Sequence, residues 1–375
     1  ADAFTIISGS CGGRCSGRLR KGNHMKAVLY KKGGRAHASV CDVPAPVCGE
    51  NEVLVRVMAC GICKPADSRH DNGTSMMGVY PVIPGHEFSG IVEKVGSGVK
   101  HFKPGDRVAV DNGAPCGTCY FCQRGEFALC EDSRAMGHNI NGGFAELAVA
   151  PETHVYAVPD NVSLRAAALS ELVGCCYHCI DRSQIQQADD VLILGCGTSG
   201  MLMSMLAKHT AAASVTVLDS VPAKLEKAAS LGIETVLVDR NDHSKHEAVL
   251  KERFPRGFDV IIDAIGDAQL IEESLPLLKK KGRFLNYSFA VTEKKDVSIN
   301  MAMFASRDLT YLGSTFQHHS FGQVLRSMSA GRVQPELTIS AVYPIEQYFE
   351  ALDRNLSDPE CVKIIIEPNG SSEGR

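Results

Sequence analysis

Four cysteines lie close together in the first half of the chain, with the spacing C-x2-C-x2-C-x7-C. They are Cys116, Cys119, Cys122 and Cys130. Cysteines two residues apart can bring several thiolates to one tetrahedral Zn²⁺, and the longer loop lets a fourth complete the shell. The spacing therefore predicts a structural zinc site rather than a group of buried or disulfide-paired cysteines.

Three further segments offer a second set of metal ligands. They are the run C-G-I-C that ends at Cys63, the run G-H-E around His86, and the run L-S-E that ends at Glu171. A thiolate, an imidazole and a carboxylate can hold zinc and leave a fourth position open, which is typical of catalytic rather than structural sites. Cys175 and Cys176 lie nearby in sequence and are alternative ligands.

A glycine-rich run, G-C-G-T-S-G, follows a predicted strand and opens a predicted helix. It allows a tight turn at its first glycine, close approach of the backbone to a pyrophosphate at its second, and close helix packing at its third. The helix N-terminus at this point also favours a phosphate. We therefore predict a dinucleotide site formed by Gly195, Gly197, Thr198, Ser199 and Gly200.

An acidic residue, Asp219, ends the next predicted strand. A carboxylate in that position would bind both ribose hydroxyls and repel a 2'-phosphate, which predicts NAD rather than NADP. Lys224 could reach a 2'-phosphate, but we interpret it as a solvated helix residue.

These motifs lie in two regions with different secondary-structure patterns. From residue 26 to about 149 the chain consists of short predicted strands separated by turns, which indicates a β-rich domain. After Asp190, strands and helices alternate, as they do in a parallel, doubly wound sheet. The predicted fold class is therefore α/β.

The composition indicates how many domains the chain can form and which partners and compartment it favours. The 375 residues, of which 44% are hydrophobic, are enough for two domains with separate cores. A formal net charge of -4 gives no electrostatic reason to expect nucleic acid or an acidic membrane as a partner. The fifteen cysteines are an odd number, and those outside the cluster are scattered, which indicates reduced thiols in the cytoplasm. No apolar run reaches the roughly 18 residues of a membrane span.

Residues 1–24 differ in composition from the rest of the chain. Between Ser10 and Asn23, basic residues and glycines predominate and apolar periodicity is weak, whereas a strand-like run begins at Met25. We predict that this extension has no ordered structure and is either a tag or a presequence. A presequence would direct the protein to an organelle instead of the cytoplasm.

Taken together, these residues resemble the zinc-containing medium-chain alcohol and polyol dehydrogenases, in particular the sorbitol and arabinitol dehydrogenase branch. The resemblance extends from Met25 to Pro368. Beyond the motifs above it rests on G-I-C at 61–63, G-H-E-F-S-G at 85–90, V-G-x-G-V at 95–99, P-G-D-R-V at 104–108, G-G-F-A-E at 142–146 and K-I-I-I-E-P at 363–368.

The resemblance implies a GroES-like catalytic domain that is split around a Rossmann NAD-binding domain. We expect the catalytic domain at residues 25–171, with the zinc lobe near 111–131, and the Rossmann domain at 172–312. Residues 313–375 are then a return to the catalytic domain. Relatives also imply a homodimer or homotetramer that forms through the sheet edge near residues 300–312.

The resemblance further implies two zinc ions per chain, one in the four-Cys cluster and one on Cys63, His86 and a carboxylate. In the family the Glu of G-H-E, here Glu87, either binds zinc or approaches it during ligand exchange. The position of Glu171 is a cysteine in the animal and yeast ethanol enzymes and an acid in many polyol enzymes. The match at A-L-S-E favours Glu171, and Cys175 and Cys176 are then core residues.

The family pattern fails at the proton relay. Relatives usually have Ser or Thr two residues after the zinc-binding Cys, but Pro65 occupies that position and cannot relay a proton. An inserted residue could rebuild the relay with Ser68 or His70. Alternatively, Asp67 only braces the ligand loop.

The segment expected to contact substrate also differs from the pattern. Many polyol dehydrogenases carry an Arg here that holds substrate hydroxyls, whereas this chain has Gln317, His318 and His319. A polar substrate is still the expectation, but sorbitol specificity does not transfer.

We therefore predict a zinc-dependent oxidoreductase that transfers hydride between NAD(H) and a secondary alcohol or ketone, foremost a polyol, a sugar alcohol or its phosphate. The metal would lower the pKa of the hydroxyl that loses hydride. The alternatives are a simple secondary-alcohol or diol dehydrogenase and, outside the enzymes, a zinc-binding structural or nucleic-acid-binding protein.

Overall fold

The computed structural model describes residues 24–75, 77–288, 296–317 and 320–372. Residues 1–23 of the predicted extension lie outside these ranges, and so do His318 and His319. Within the described ranges, no helix has the length and apolar character needed to cross a membrane.

The described residues form seventeen strands. In chain order these are β1 (His24–Tyr30), β2 (Ala38–Pro44), β3 (Glu52–Gly61), β4 (Glu87–Val95), β5 (Arg107–Val110), β6 (Gly113–Ala114), β7 (Arg134–Ala135), β8 (Leu147–Pro151), β9 (Val155–Ala157), β10 (Asp190–Leu194), β11 (Ser214–Asp219), β12 (Glu234–Leu237), β13 (Phe258–Asp263), β14 (Leu278–Asn286), β15 (Thr310–Gly313), β16 (Ile339–Pro344) and β17 (Lys363–Glu367).

Ten α-helices lie in the same part of the chain. They are α1 (Lys64–Asp71), α2 (Leu164–Ala168), α3 (Ser170–Ser183), α4 (Thr198–Ala207), α5 (Pro222–Ser230), α6 (Ser244–Arg253), α7 (Ala268–Ser274), α8 (Met301–Arg307), α9 (Phe321–Ser329) and α10 (Tyr348–Ser357). Helix α2 is capped by Ser163, whose side chain accepts a hydrogen bond from the Ala166 backbone N–H.

The chain divides into two compact units. The first comprises the described residues up to Glu171, Phe321–Ser329 and those from Ile339 onward, and the second comprises Leu172–Ser320 and Ala330–Thr338. The first unit resumes at Phe321, a little after the expected residue 313.

The first unit is built around a seven-stranded sheet with the order β16-β17-β3-β4-β5-β9, in which β8 also pairs with β3. The pair β16 and β17 is parallel, and the other pairs are antiparallel. Val53, Val55 and Val57 of β3 are fully buried, as the alternating pattern predicts, and belong to the main core of this unit. A β-rich first domain is therefore confirmed.

The second unit contains six strands in the order β12-β11-β10-β13-β14-β15, and all of its pairs are parallel. Helices form the connections between successive strands, so the doubly wound sheet is confirmed. The strand order reverses between β10 and β13. In sheets of this kind ligands bind beyond the carboxyl ends of the strands at such a reversal, and β10 ends at the glycine-rich turn.

Candidate functional site

The candidate metal centre lies in the first unit, where β3 and β4 pair. Their antiparallel register places Gly61 opposite Glu87, so Cys63, just after β3, comes close to His86, just before β4. One ligand atom from each of Cys63, His86 and Glu87 lies within 4.8 Å of the others. Two segments that are separated in sequence thus meet as the metal hypothesis requires.

The charges around His86 fit a divalent cation. Burial alone would lower the pKa of its imidazole, but the negative charge of Cys63, a hydrogen bond between these two side chains, and the charges of Glu171 and Glu87 raise the pKa to about 10. A buried histidine in contact with a thiolate and carboxylates is a donor set that zinc prefers. The residues present therefore fit a zinc ion.

Glu171 lies at the start of α3 and is buried, but it is not a member of the three-residue group within 4.8 Å. Its charge nevertheless contributes to the raised pKa of His86, so its carboxylate is near the imidazole. The structure thus brings both candidate carboxylates, Glu87 and Glu171, to one region of the first unit.

The partner of Glu87 is Lys363, the first residue of the K-I-I-I-E-P run, to which the sequence assigned no role at the site. The Nζ atom of Lys363, at the start of β17, lies 2.6 and 2.8 Å from the two carboxylate oxygens and donates to the Ile62 carbonyl at 2.8 Å. The exposed fractions are 0% for the Glu87 side chain and 3% for that of Lys363. Gly61 leaves room for the pair, because a Cβ there would lie 2.3 Å from a Glu87 oxygen.

Helix α1 carries the residues considered for a proton relay. Asp67 is buried, and its Oδ2 accepts a hydrogen bond from the Cys63 backbone N–H at 2.8 Å, so it braces the ligand loop. Burial raises the pKa of Asp67 to about 7, although the charge of His86 opposes this shift. The hydroxyl of Ser68 donates to the Pro65 carbonyl at 3.2 Å and is engaged with its own helix.

His70, on the same helix, is fully buried, and its Nδ1 lies 3.2 Å from the Tyr80 hydroxyl. The ring of His138 stacks on that of His86 with centroids 4.6 Å apart and lies 6.0 Å from that of His70. The side chains of His86, His138, His70 and Tyr80 are therefore successive neighbours, in a series that begins at the candidate metal ligand His86. His138 is a lone histidine in a loop, and no spacing motif pointed to it.

The four cysteines of the predicted structural site lie in the lobe between β6 and β7. One sulfur from each is within 4.8 Å of the others, and the two pairs Cys116–Cys122 and Cys119–Cys130 have Sγ atoms 4.0 Å apart. Tetrahedral coordination with Zn–S bonds of about 2.3 Å requires sulfurs about 3.8 Å apart. Backbone N–H groups of Thr118 and Cys119 lower the pKa of Cys116 to about 6, which favours the thiolate that a metal binds. The cluster fits zinc.

The glycine-rich turn joins β10 to α4 in the second unit. Gly195 has a φ of 94°, in the region that favours glycine, and a Cβ on Gly200 would lie 1.8 Å from the Gly195 carbonyl oxygen. Gly197 precedes the first helical residues, Thr198 and Ser199, and a Cβ there would meet no atom within 4 Å. The turn is therefore tight at its base and open where a phosphate would approach the helix N-terminus.

Asp219 is the last residue of β11 and is held beside this turn. Its carboxylate oxygens accept hydrogen bonds from the backbone N–H groups of Cys196 at 2.8 Å and Val221 at 2.9 Å. Lys224 lies on the following helix, α5. Arg240, which the motifs did not point to, donates to the Ser220 hydroxyl at 2.8 Å and adds a second cation near the position expected for the ribose.

The remaining residues considered in the sequence lie elsewhere. Cys175 and Cys176 are buried on α3, and neither joins a metal-ligand group among the residues that the structure describes. The amide oxygen of Gln317 accepts a hydrogen bond from the Ser320 backbone N–H at 3.3 Å. His318 and His319 fall in the gap between the described ranges.

Comparison with known proteins agrees with this arrangement. Residues 49–160 match the family model described as alcohol dehydrogenase GroES-like domain, and residues 200–330 match the one described as zinc-binding dehydrogenase. The D-arabinitol dehydrogenase 1 of Uromyces fabae is 30% identical over 347 residues, which cover 92% of this chain and 97% of that protein.

Two solved structures are similar over the same length. A putative zinc-binding dehydrogenase from Sinorhizobium meliloti, bound to NADP, is 29% identical with a TM-score of 0.85, and the match covers 92% of this chain and 100% of that one. A short chain alcohol dehydrogenase from E. coli, in complex with NADH, is 26% identical with a TM-score of 0.83 and the same coverage. The cofactors of this fold and donor set are thus zinc and a nicotinamide dinucleotide.

The four-Cys lobe can be tested by replacing one sulfur. We expect Cys119→Ser to lose about one zinc per chain and to lower the melting temperature, because structural zinc contributes directly to the stability of the folded state. Cys48→Ser is the matched control, since Cys48 belongs to no metal-ligand group among the described residues. Elemental analysis and calorimetry provide the readouts, and an unchanged zinc content in Cys119→Ser would contradict a structural site here.

A second prediction follows from the buried ion pair of Glu87 and Lys363. Lys363→Met leaves Glu87 buried without its cation, so we expect the free energy of unfolding to fall by about 3–5 kcal/mol. The double variant Glu87→Gln/Lys363→Met removes both charges and should recover much of that loss. Urea unfolding of the wild type, single and double variants measures the difference. Equal losses in the two variants would show that packing, rather than the pairing of charge, stabilises this region.

Proposed function

The chain belongs to the zinc-containing medium-chain alcohol and polyol dehydrogenases, and on this premise we propose that it oxidises a secondary hydroxyl of a polyol or sugar alcohol with NAD⁺. The observation that carries the proposal is the convergence of the half-buried Cys63 with the buried His86 and a buried carboxylate in the first unit. Glu171, in place of the cysteine of the ethanol enzymes, supports a polyol, and so does the similarity to a D-arabinitol dehydrogenase. The same groups would serve the reverse reduction of a ketone.

We assign the catalytic zinc to Cys63, His86 and Glu171, and the structural zinc to the four-Cys cluster. Both carboxylates raise the pKa of His86, Glu171 more than Glu87, and Lys363 compensates the charge of Glu87 in direct contact. When bound, zinc supplies a Lewis acid that lowers the pKa of the substrate hydroxyl, and NAD⁺ accepts the hydride. Because Glu171 rather than Glu87 is the assigned ligand, the double variant Glu87→Gln/Lys363→Met should keep its catalytic zinc.

In this proposal the proton leaves through His70, and Asp67 keeps the Cys63 loop in place. Nε2 of His70 is buried without a hydrogen-bond partner among the described residues, and Nδ1 faces the half-exposed Tyr80 hydroxyl. Burial and the charge of His86 lower the pKa of His70 to about 4, against an opposing contribution from the Gly137 backbone. The imidazole is therefore neutral near pH 7 and can accept a proton at Nε2 while Nδ1 releases one toward Tyr80.

The cofactor preference follows from Asp219. Its carboxylate is fixed beside the glycine-rich turn, where it would bind ribose hydroxyls and repel a 2'-phosphate. Arg240 and Lys224 are the cations that would favour NADP instead. We propose NAD because the carboxylate is held by two backbone donors at the end of β11, whereas the side chain of Arg240 is bonded to Ser220.

We further propose that the protein works in the cytoplasm as a homodimer or homotetramer. None of the thirteen described cysteines forms a disulfide, which suits a reducing compartment. β15 is an edge strand of the six-stranded sheet, and the nearby side chains of Met301 and Tyr311 are exposed. This edge has no further strand partner among the described residues, and together with its apolar neighbours it supports association at this place.

An alcohol screen with both nicotinamide cofactors tests the proposed function. We expect the kcat/KM for NAD⁺ reduction to be at least about tenfold higher with arabinitol, xylitol or sorbitol than with 2-propanol or 2,3-butanediol, because a site that hydrogen-bonds several hydroxyls rejects substrates without them. His86→Ala is the control for metal-dependent turnover. Preference for 2-propanol would favour a simple secondary-alcohol dehydrogenase, and no turnover of any alcohol by protein that holds two zinc ions would contradict the enzyme.

The proton path predicts a change in pH dependence. We expect His70→Gln to lower kcat for alcohol oxidation roughly tenfold to hundredfold near pH 7, with recovery at higher pH, where solvent takes the proton more readily. Tyr80→Phe keeps the ring that packs on His70 but removes the hydroxyl, so it should shift the profile in the same direction. Zinc content and melting temperature are measured in parallel. Variants whose pH profiles coincide with that of the wild type would exclude this path.

A further inference from the structure

A third group of metal-binding side chains lies in the second unit, among residues that have no part in the proposed reaction. His243 immediately precedes α6, His246 is in its first turn, and Glu273 is near the end of α7. One ligand atom from each lies within 4.8 Å of the others. The Nδ1 atom of His243 is 2.6 Å from a Glu273 oxygen, and the two imidazole centroids are 5.1 Å apart.

The environment of His246 points to a ligand rather than to a satisfied core residue. Its exposed fraction is 4%, and its Nδ1 is buried with no hydrogen-bond partner in the described part of the chain. A buried polar atom without a partner carries a desolvation cost that a protein normally removes by bonding it. Burial and the charge of His243 lower the pKa of this imidazole, against the opposing charges of Glu273 and Glu247, which favours the neutral form that binds metals.

A second hydrogen bond orients the carboxylate of Glu273, at the oxygen that does not face His243. Gln269, one turn earlier on α7, donates its side-chain amide to the second carboxylate oxygen at 2.8 Å. Hydrogen bonds of this kind fix the direction of a ligating carboxylate. The side chains of His243 and Glu273 are 17% and 34% exposed, so an ion can enter from solvent and complete its shell with water.

We propose that His243, His246 and Glu273 form a third metal site, which binds Zn²⁺ or a similar divalent transition metal. Two imidazoles and a carboxylate suit zinc, cobalt, nickel or copper, whereas calcium and magnesium require mainly oxygen ligands. The site contains no thiolate, in contrast to both zinc sites of the first unit. The site connects the beginning of α6 to the end of α7, and these helices precede and follow β13 along the chain. Bound metal therefore stabilises the second unit.

The proposal predicts a third metal equivalent in the full-length, zinc-loaded protein. Titration with Co²⁺ should add one ion per chain whose absorption spectrum lacks the thiolate-to-metal charge-transfer band of a cysteine site, and added Zn²⁺ should raise the melting temperature by mass action. Glu273→Gln keeps the size of the side chain and should lose this ion. Gln269→Ala should weaken its binding roughly tenfold.

The matched control is His209→Gln, which replaces an exposed histidine of the same unit that belongs to no such group among the described residues. We expect it to bind the third ion as the wild type does. Equal metal content and equal Zn²⁺-dependent melting temperatures in the wild type and Glu273→Gln would overturn the proposal. So would an added Co²⁺ ion with a thiolate band, because it would lie at a cysteine. Both readouts are independent of enzyme activity.

Discussion

The pairing of Glu87 with Lys363 is the interaction on which the first unit depends most. Removing two charges from water costs several kcal/mol for each ion, and only close contact with additional hydrogen bonds offsets that cost. Lys363 meets this requirement through both oxygens of Glu87 and the Ile62 carbonyl. Because Lys363 begins β17 and Glu87 begins β4, the buried charge is satisfied only when the last strand pairs with β3. Glu87 therefore obtains its counter-ion only because the C-terminal part of the chain returns to the first unit.

A second constraint is the balance of charge next to that pair. Cys63, Asp67 and Glu171 add acidic groups to a region from which water is largely excluded, and His86 is the imidazole among them. The acidic neighbours raise the pKa of His86 to about 10, and burial raises the pKa of Asp67 to about 7. A divalent cation held by these residues would compensate the acidic charge and displace protons from them. The preference for a metal is thus a consequence of burial and of the ligand types together.

The sequence predicts those parts of the site that depend on local spacing. The four cysteines and the glycine-rich turn each lie within a short segment, so their geometry follows from loop length and backbone conformation, and the alternating valines of β3 likewise reveal its buried face. Lys363 lies 276 residues from Glu87, and Glu273 lies 30 residues from His243. Such contacts depend on strand order and on helix packing, which spacing does not report. His138 and Arg240 escaped prediction for the same reason.

Helix α1 shows how a departure from the family pattern is accommodated. Pro65 removes the hydroxyl that relatives place there, but at the second position of a helix its fixed φ and missing N–H are well tolerated, so the helix can begin directly after the proposed ligand Cys63. Residues three apart on a helix share a face, and Asp67 and His70 are accordingly both buried. One element thus supplies the brace of the Cys63 loop and the proposed proton acceptor. The proposed acceptor, His70, lies about one helical turn beyond Asp67, because it belongs to the helix rather than to the Cys63 loop.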